Sequence, residues 1–151
     1  MASPFRFSYS AKVIIESEKE LVWNALTDLE NYHLWNPFTP KVTTNWVIGD
    51  PVILTVQMKE GKSPIRQKEY ITKFDPKKEF AWGMRWSFLL KAERVQKLTA
   101  PTDGETIYYT QDIIEGFLSP IVHILYGHHI QSGFNKMSSA LKKHLKNRKI
   151  F

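Results

Sequence analysis

Apolar and polar residues alternate along most of this chain, and a helical spacing replaces the alternation at its end. Residues 5–15 have a period of two, which is typical of a strand with one buried side. The positions on its apolar face are Phe5, Phe7, Tyr9, Ala11 and Val13. The later stretches predicted to be strands are residues 41–46, 51–58, 66–75, 79–88, 91–100 and 106–115. Short, turn-like links between them favour antiparallel pairing.

A short helical segment follows the first strand. Ser17 and Glu20 have the spacing of a capping box, which predicts that a helix begins there. A second short helix or turn is expected from Asp28. The next residues, 32–40, are apolar but contain two prolines, Pro37 and Pro40, so they predict an ordered loop packed by its own rings.

A long helix is predicted at the end of the chain, beginning at Ser119 and Pro120 and running almost to Phe151. Its apolar stripe consists of Ile130, Phe134, Met137, Leu141 and Leu145, and continues backward to Gly127 and His123. Since Ile121, Ile124 and Leu125 lie off this stripe, we expect a bend or break near Gly127. Such a helix buries its stripe best across the concave face of the sheet. The expected architecture is α+β, one domain over residues 1–151, with an apolar cavity wherever helix and sheet do not meet.

Composition and charge narrow the classes of function. The chain has no cysteine, which excludes disulfides and thiolate metal sites. Its net charge is +6, and several basic residues gather near the C-terminus, namely Lys142, Lys143, Lys146, Arg148 and Lys149. These cations complement the dipole of the closing helix. Binding to nucleic acid or to a membrane is the alternative. We expect no nucleic-acid partner and at most a weak membrane-surface contact. Without a signal-peptide pattern or a spanning apolar run, we expect a cytoplasmic protein.

The aromatic residues are abundant, at 13% of the chain, and clustered. In the strand over 79–88, one face consists of Phe80, Trp82, Met84, Trp86 and Phe88. This face is predicted to line the cavity, and packing against the closing helix is the alternative. The loops Trp35–Pro37 and Gly116–Pro120, the second of which contains Phe117, are predicted to gate the entrance.

Three segments resemble the START-like (SRPBCC) superfamily, in particular its polyketide cyclase/dehydrase-type bacterial branch. They are VWNALTDLENYHLWNPF at 22–38, GETIYYTQDIIEG at 104–116 and GFNKMSSALKKHLKN at 133–147. The resemblance implies a helix-grip fold, in which a curved seven-stranded sheet wraps around the C-terminal helix and encloses a ligand cavity. Members of this superfamily bind lipids, sterols, plant hormones or polyketides, and some are cyclases, so the fold does not fix the function.

Polar candidates for the cavity come from three elements. By the family pattern, Arg94 points inward and could pair with a ligand carboxylate, with a solvent-facing arginine as the alternative. Tyr109 and Gln111 are expected to face inward and orient a ligand, unless they are ordinary core groups. His123 lies on the projected stripe and could move a proton. The complete predicted ligand-binding set is Trp35, Phe38, Trp82, Met84, Trp86, Phe88, Arg94, Tyr109, Gln111, Phe117, His123, Gly127 and Ile130.

No catalytic residue, metal ligand or cofactor is assigned from the sequence. There is no P-loop, dinucleotide fingerprint or nucleophile elbow, and no histidine pair has metal-binding spacing with a carboxylate. Asp112 and Glu115 fall on opposite faces of their strand and make a poor acid pair. Three functions stay open: carriage of a small hydrophobic ligand such as a lipid, isoprenoid or aromatic polyketide, a cyclase or dehydrase that uses the same cavity, and an accessory protein that acts through its surface.

Overall fold

The computed structural model describes residues 3–148. Lys149, in the predicted basic cluster, and Phe151, near which the closing helix was expected to end, lie outside this range. The strands are β1 (Arg6–Ile15), β2 (Lys41–Thr43), β3 (Pro51–Val56), β4 (Ile65–Asp75), β5 (Glu79–Trp86), β6 (Leu90–Thr102) and β7 (Glu105–Glu115). The helices are α1 (Lys19–Thr27), a 3-10 helix (Leu29–Leu34) and α2 (Ser119–Arg148).

The seven strands form one antiparallel sheet in the order β1-β7-β6-β5-β4-β3-β2. Strands β2 to β7 follow one another as a meander, whereas β1 joins the far edge by pairing with β7. The chain must therefore cross the width of the sheet between β1 and β2, and α1 and the 3-10 helix make this crossing. This is the α+β helix-grip architecture expected from the sequence.

Helix α2 packs its apolar stripe against the sheet and β1. Phe134, Met137, Leu141 and Leu145 are all buried, as the helical period predicted. The expected break at Gly127 is wrong, because α2 is a continuous helix of 30 residues. Gly127 instead allows close packing, since a Cβ there would lie 3.0 Å from the Tyr9 hydroxyl. The residues off the stripe are left exposed, and Ile124 is 80% accessible.

The predicted capping box is also wrong. Helix α1 begins at Lys19, and Glu18 precedes it without a side-chain cap. Ser17 instead packs beside the sheet, and its carbonyl oxygen accepts a 2.7 Å hydrogen bond from the Thr106 hydroxyl. Ser17 thus makes a long-range contact with β7 and does not cap α1.

Candidate functional site

A cavity of about 420 Å³ lies between the concave face of the sheet and the N-terminal half of α2. The sheet lines it with residues of β3 to β7, and α2 contributes Val122, Tyr126, Ile130 and Phe134. Five residues predicted from the sequence line this cavity, namely Phe38, Trp82, Met84, Arg94 and Ile130. Most of the wall is apolar. The helix and the sheet therefore enclose an apolar space between them, as the sequence predicted.

The aromatic face predicted for residues 79–88 lines the cavity over only part of its length. Trp82 is buried in the cavity wall, but Trp86 and Phe88 are 57% and 74% exposed. Strand β5 ends at Trp86, and Ser87 follows with a φ of +52°, so the alternation stops there. Both rings are exposed, and neither lines the cavity.

Two of the predicted gate residues lie elsewhere. Trp35 is buried but contacts His144 and Tyr32, with its ring stacked on His144 at a centroid distance of 5.8 Å. Phe117 is 64% exposed and stacks on Phe5 at the outer end of the sheet. Each ring packs against neighbouring rings, and neither is part of the cavity wall.

The inward face of β7 was assigned to the wrong residues. Tyr108, Thr110, Asp112 and Ile114 point to the concave side, whereas Gln111 lies on the other face and donates to the Ser8 hydroxyl at 3.1 Å. Tyr109 shares that outer face. The reason is a register shift in the β6–β7 pair between Thr99 and Thr102.

That shift acts on every residue of β7. A regular hairpin continuing from the pair Thr102–Glu105 would set Tyr109 opposite Leu98, but the observed partner of Leu98 is Tyr108. A change of register by one residue exchanges the two faces of a strand. The consequence for the site is large, because it places a carboxylate, Asp112, in the cavity in place of an amide, Gln111.

His123 and Gly127 lie on the side of α2 that faces β1. The His123 ring stacks on Phe7 at 4.1 Å between centroids, and its Nδ1 shares a 2.6 Å hydrogen bond with the Tyr9 hydroxyl. Gly127 is packed beside this pair. These residues join α2 to β1 and lie outside the cavity wall.

Arg94 is inward, as the family pattern suggested, and only 5% exposed. Its Nε donates to the Thr110 hydroxyl at 3.1 Å, and its Nη2 lies 3.0 Å from the Met137 sulfur. The guanidinium also lies over the Phe134 ring, 4.4 Å from the centroid. A cation on an aromatic face is stabilised by the ring quadrupole, so Arg94 is held toward α2.

Two carboxyl groups in the wall were not identified from the sequence. Asp112 on β7 is the cross-strand partner of Arg94, and Glu69 projects from β4. Burial raises the pKa of Asp112 to about 7. The Glu93 charge also raises this pKa, whereas the Arg94 charge lowers it. Burial also raises the pKa of Glu69 to about 7, with a further raising by Asp112 and a lowering by Arg94. Both groups can therefore gain or lose a proton near neutral pH.

A second, more polar cavity of about 640 Å³ adjoins the first. The two share Phe38 and Met58 in their walls. The outer cavity is also lined by His128 and His129 and by the charged residues Lys59, Glu60, Lys62 and Lys136. Phe38 and Met58 thus form a side-chain partition between an apolar inner space and a mainly basic outer one.

Within residues 3–148, neither a metal-binding cluster nor a membrane-spanning helix is found. No group of three histidines or acidic residues within that range is arranged to hold a metal ion. In the same range, no helix is both long and apolar enough to cross a lipid bilayer.

The curled sheet, the gripping helix and the cavity between them define a helix-grip fold of the START-like class. Residues 6–116 match the family described as polyketide cyclase / dehydrase and lipid transport, and the chain belongs to this family. A comparison with curated proteins gives no match.

Solved structures with this fold include proteins of diverse kinds. The Zhui aromatase/cyclase of Streptomyces sp. R1128 has a TM-score of 0.76 at 15% identity, covering 95% of this chain and 96% of that chain. A START superfamily protein from Mycobacterium smegmatis has a TM-score of 0.68 at 15% identity, covering 93% and 97%. Norcoclaurine synthase from Thalictrum flavum has a TM-score of 0.70 at 12% identity, covering 99% of each chain. At such identities these likenesses concern the fold.

Proposed function

We propose that this protein binds a small hydrophobic molecule, such as a lipid, isoprenoid or aromatic polyketide, in the inner cavity. The observation that carries the proposal is the apolar space of about 420 Å³ between the sheet and α2. A pocket of this size and lining suits a small organic ligand. Transfer of the ligand from water to this space is favourable by about 25 cal/mol for each Å² of apolar surface buried.

Blocking the cavity tests this proposal. Ala92 lines the inner cavity on β6, and Ala100 is exposed on the same strand. Ala92→Trp is expected to fill the space and weaken binding of the neutral fluorescent probe N-phenyl-1-naphthylamine at least tenfold, measured by fluorescence titration. Ala100→Trp is the matched control and should bind like the unaltered protein. Equal affinity in all three proteins would contradict the proposal, provided that thermal melting shows each variant to be folded.

An enzyme of the cyclase or dehydrase type is the second candidate. It is favoured by the two carboxyl groups with pKa values of about 7, Asp112 and Glu69, which share the cavity with Arg94. A carboxylate with a pKa near the working pH is a competent general base, and the cavity would hold a carbonyl substrate beside it.

Proton exchange tests this second candidate without knowledge of the substrate. With 2-acetonaphthone as an apolar ketone probe in deuterated buffer, exchange at its methyl group is followed by NMR. The unaltered protein is expected to accelerate exchange, and Asp112→Asn should remove most of the acceleration. If the probe binds but exchanges at the rate of the buffer, the cavity is a binding site alone.

A further inference from the structure

The Asp112 carboxylate is incompletely satisfied in the folded protein. Its Oδ1 atom is buried and has no hydrogen-bond partner. An unpartnered buried acceptor destabilises the folded state, and more so when it is charged. Because Asp112 lines the inner cavity, a molecule in that cavity lies beside its side chain.

The neighbouring cations do not supply the missing donor. Arg94 is directly across the β6–β7 pair, yet its observed contacts are with Thr110 on β7 and with Met137 and Phe134 on α2. No ion pair within 4.0 Å joins Arg94 to a carboxylate among the ion pairs of residues 3–148. Lys68 contributes to the cavity wall, but its ammonium lies over the Tyr70 ring, 5.8 Å from the centroid.

A second acidic group strengthens the selection against anions. Glu69 lines the same cavity from β4, and the charge of Asp112 raises its pKa. A ligand carboxylate would therefore meet two acidic side chains, and the Nε and Nη2 groups of Arg94 already have partners within the protein. This argues against the ligand carboxylate that the sequence suggested as the partner of Arg94. A hydroxyl or an amine would instead give Asp112 the donor that it lacks.

We infer that the ligand is an amphipathic molecule with a hydrogen-bond-donating head group that carries no negative charge, a hydroxyl or an amine, held by Asp112. Its apolar part lies against Trp82, Ile130 and Phe134, which share the cavity. This inference rests on the proposed binding function and adds the class of ligand.

A matched series of probes tests the inference. Decanol, decylamine and decanoic acid have the same apolar chain and differ only in the head group. Each is used at pH 8 to displace N-phenyl-1-naphthylamine from the protein. Decanol or decylamine is expected to displace it at a concentration at least tenfold below that of decanoic acid. A preference for decanol would identify a hydroxyl head group, and a preference for decylamine would identify a basic one, and both support the inference.

Variants connect the preference to Asp112. Asp112→Asn keeps the shape of the side chain and should weaken decylamine at least tenfold, while decanol changes less than threefold because an amide oxygen also accepts. Glu115→Gln, near the outer end of the same strand, is the control and should change neither. Glu69→Gln provides a second test, with improved binding of decanoic acid expected.

The outcomes separate the inference from the function on which it rests. If decanoic acid binds as tightly as the other two probes, or if Asp112→Asn leaves the affinity for decylamine unchanged, the inference is wrong and the binding function stands. If the fluorescent probe and all three chains fail to bind, both are wrong.

Discussion

At the scale of single residues, the buried carboxyl group of Asp112 is the feature that most affects behaviour. Its pKa is about 7 in the folded protein, against an ordinary value of 3.8. The folded state therefore holds a proton that the unfolded chain releases between these values. Protonation stabilises the folded state, so the contribution of this group is fully favourable below pH 3.8 and is lost as the pH rises through about 7.

Asp112→Asn is expected to remove this pH dependence. Relative to the unaltered protein, the variant should gain stability as the pH rises from 4 to 8, by on the order of 2 to 4 kcal/mol. The free energy of unfolding in urea, measured at several pH values between 4 and 8, gives the difference. The Glu93 charge also raises the pKa of Asp112, Arg94 opposes that shift, and the Asp112 charge raises the pKa of Glu69, so Glu69→Gln is measured in parallel. A difference between variant and parent that stays constant over this range would contradict the assignment.

On the strands, alternation alone identified site residues only where one face was clearly apolar. Trp82 and Met84 were found in this way. In β7 both faces mix apolar and polar residues, so the choice between Tyr109 and Asp112 depended on a one-residue register shift in the preceding hairpin. Local alternation carries no information about such a shift, and Asp112 was missed for that reason.

At the scale of elements, Gly133 determines how closely α2 approaches the proline-containing loop. A Cβ at this position would collide with the ring of Phe38, which packs edge-to-face on Phe134 with centroids 5.7 Å apart. The ring can move only by leaving the walls of both cavities. A residue that looks like a weakness in the helix is therefore required by its packing.

Gly133→Ala should destabilise the protein by about 1 to 3 kcal/mol, the usual cost of overpacking. At an exposed helix position the same change would stabilise by up to about 1 kcal/mol, so the sign of the effect is diagnostic. Thermal and urea unfolding measure it. Ser139→Ala, at an exposed position of the same helix, is the control and should change stability little. A stabilised Gly133→Ala variant would show that the Phe38 ring is not fixed by α2.

The bounds of most elements followed from the sequence, and the exceptions have local causes. Strand β2 ends at Thr43, short of the predicted residue 46, where Trp46 takes a positive φ of +63°. Strand β5 ends at Trp86 because of the turn at Ser87. A positive φ in a residue other than glycine is uncommon and is imposed by the surrounding structure, so the period of the strand cannot reveal it.

At the scale of the whole molecule, the order of elements and the closing apolar stripe predicted a long helix lying across an antiparallel sheet, and the resemblance to the START-like superfamily implied the helix-grip fold. Gly127 and His123, where space was expected, pack against β1 outside the cavity wall. The cavity itself was predictable as a consequence of that fold. Its chemistry was not, because the groups that give it polarity come from β4, β6 and β7 and meet only in the folded sheet.

The partition between the two cavities has a consequence for the length of the ligand. It consists of the side chains of Phe38 and Met58, and side chains can change rotamer while the backbone stays in place. A methionine is especially adaptable in this respect. Under the proposed binding function, a short guest fits the inner cavity, and turning these two side chains aside would let a longer one extend outward between the lysines and histidines.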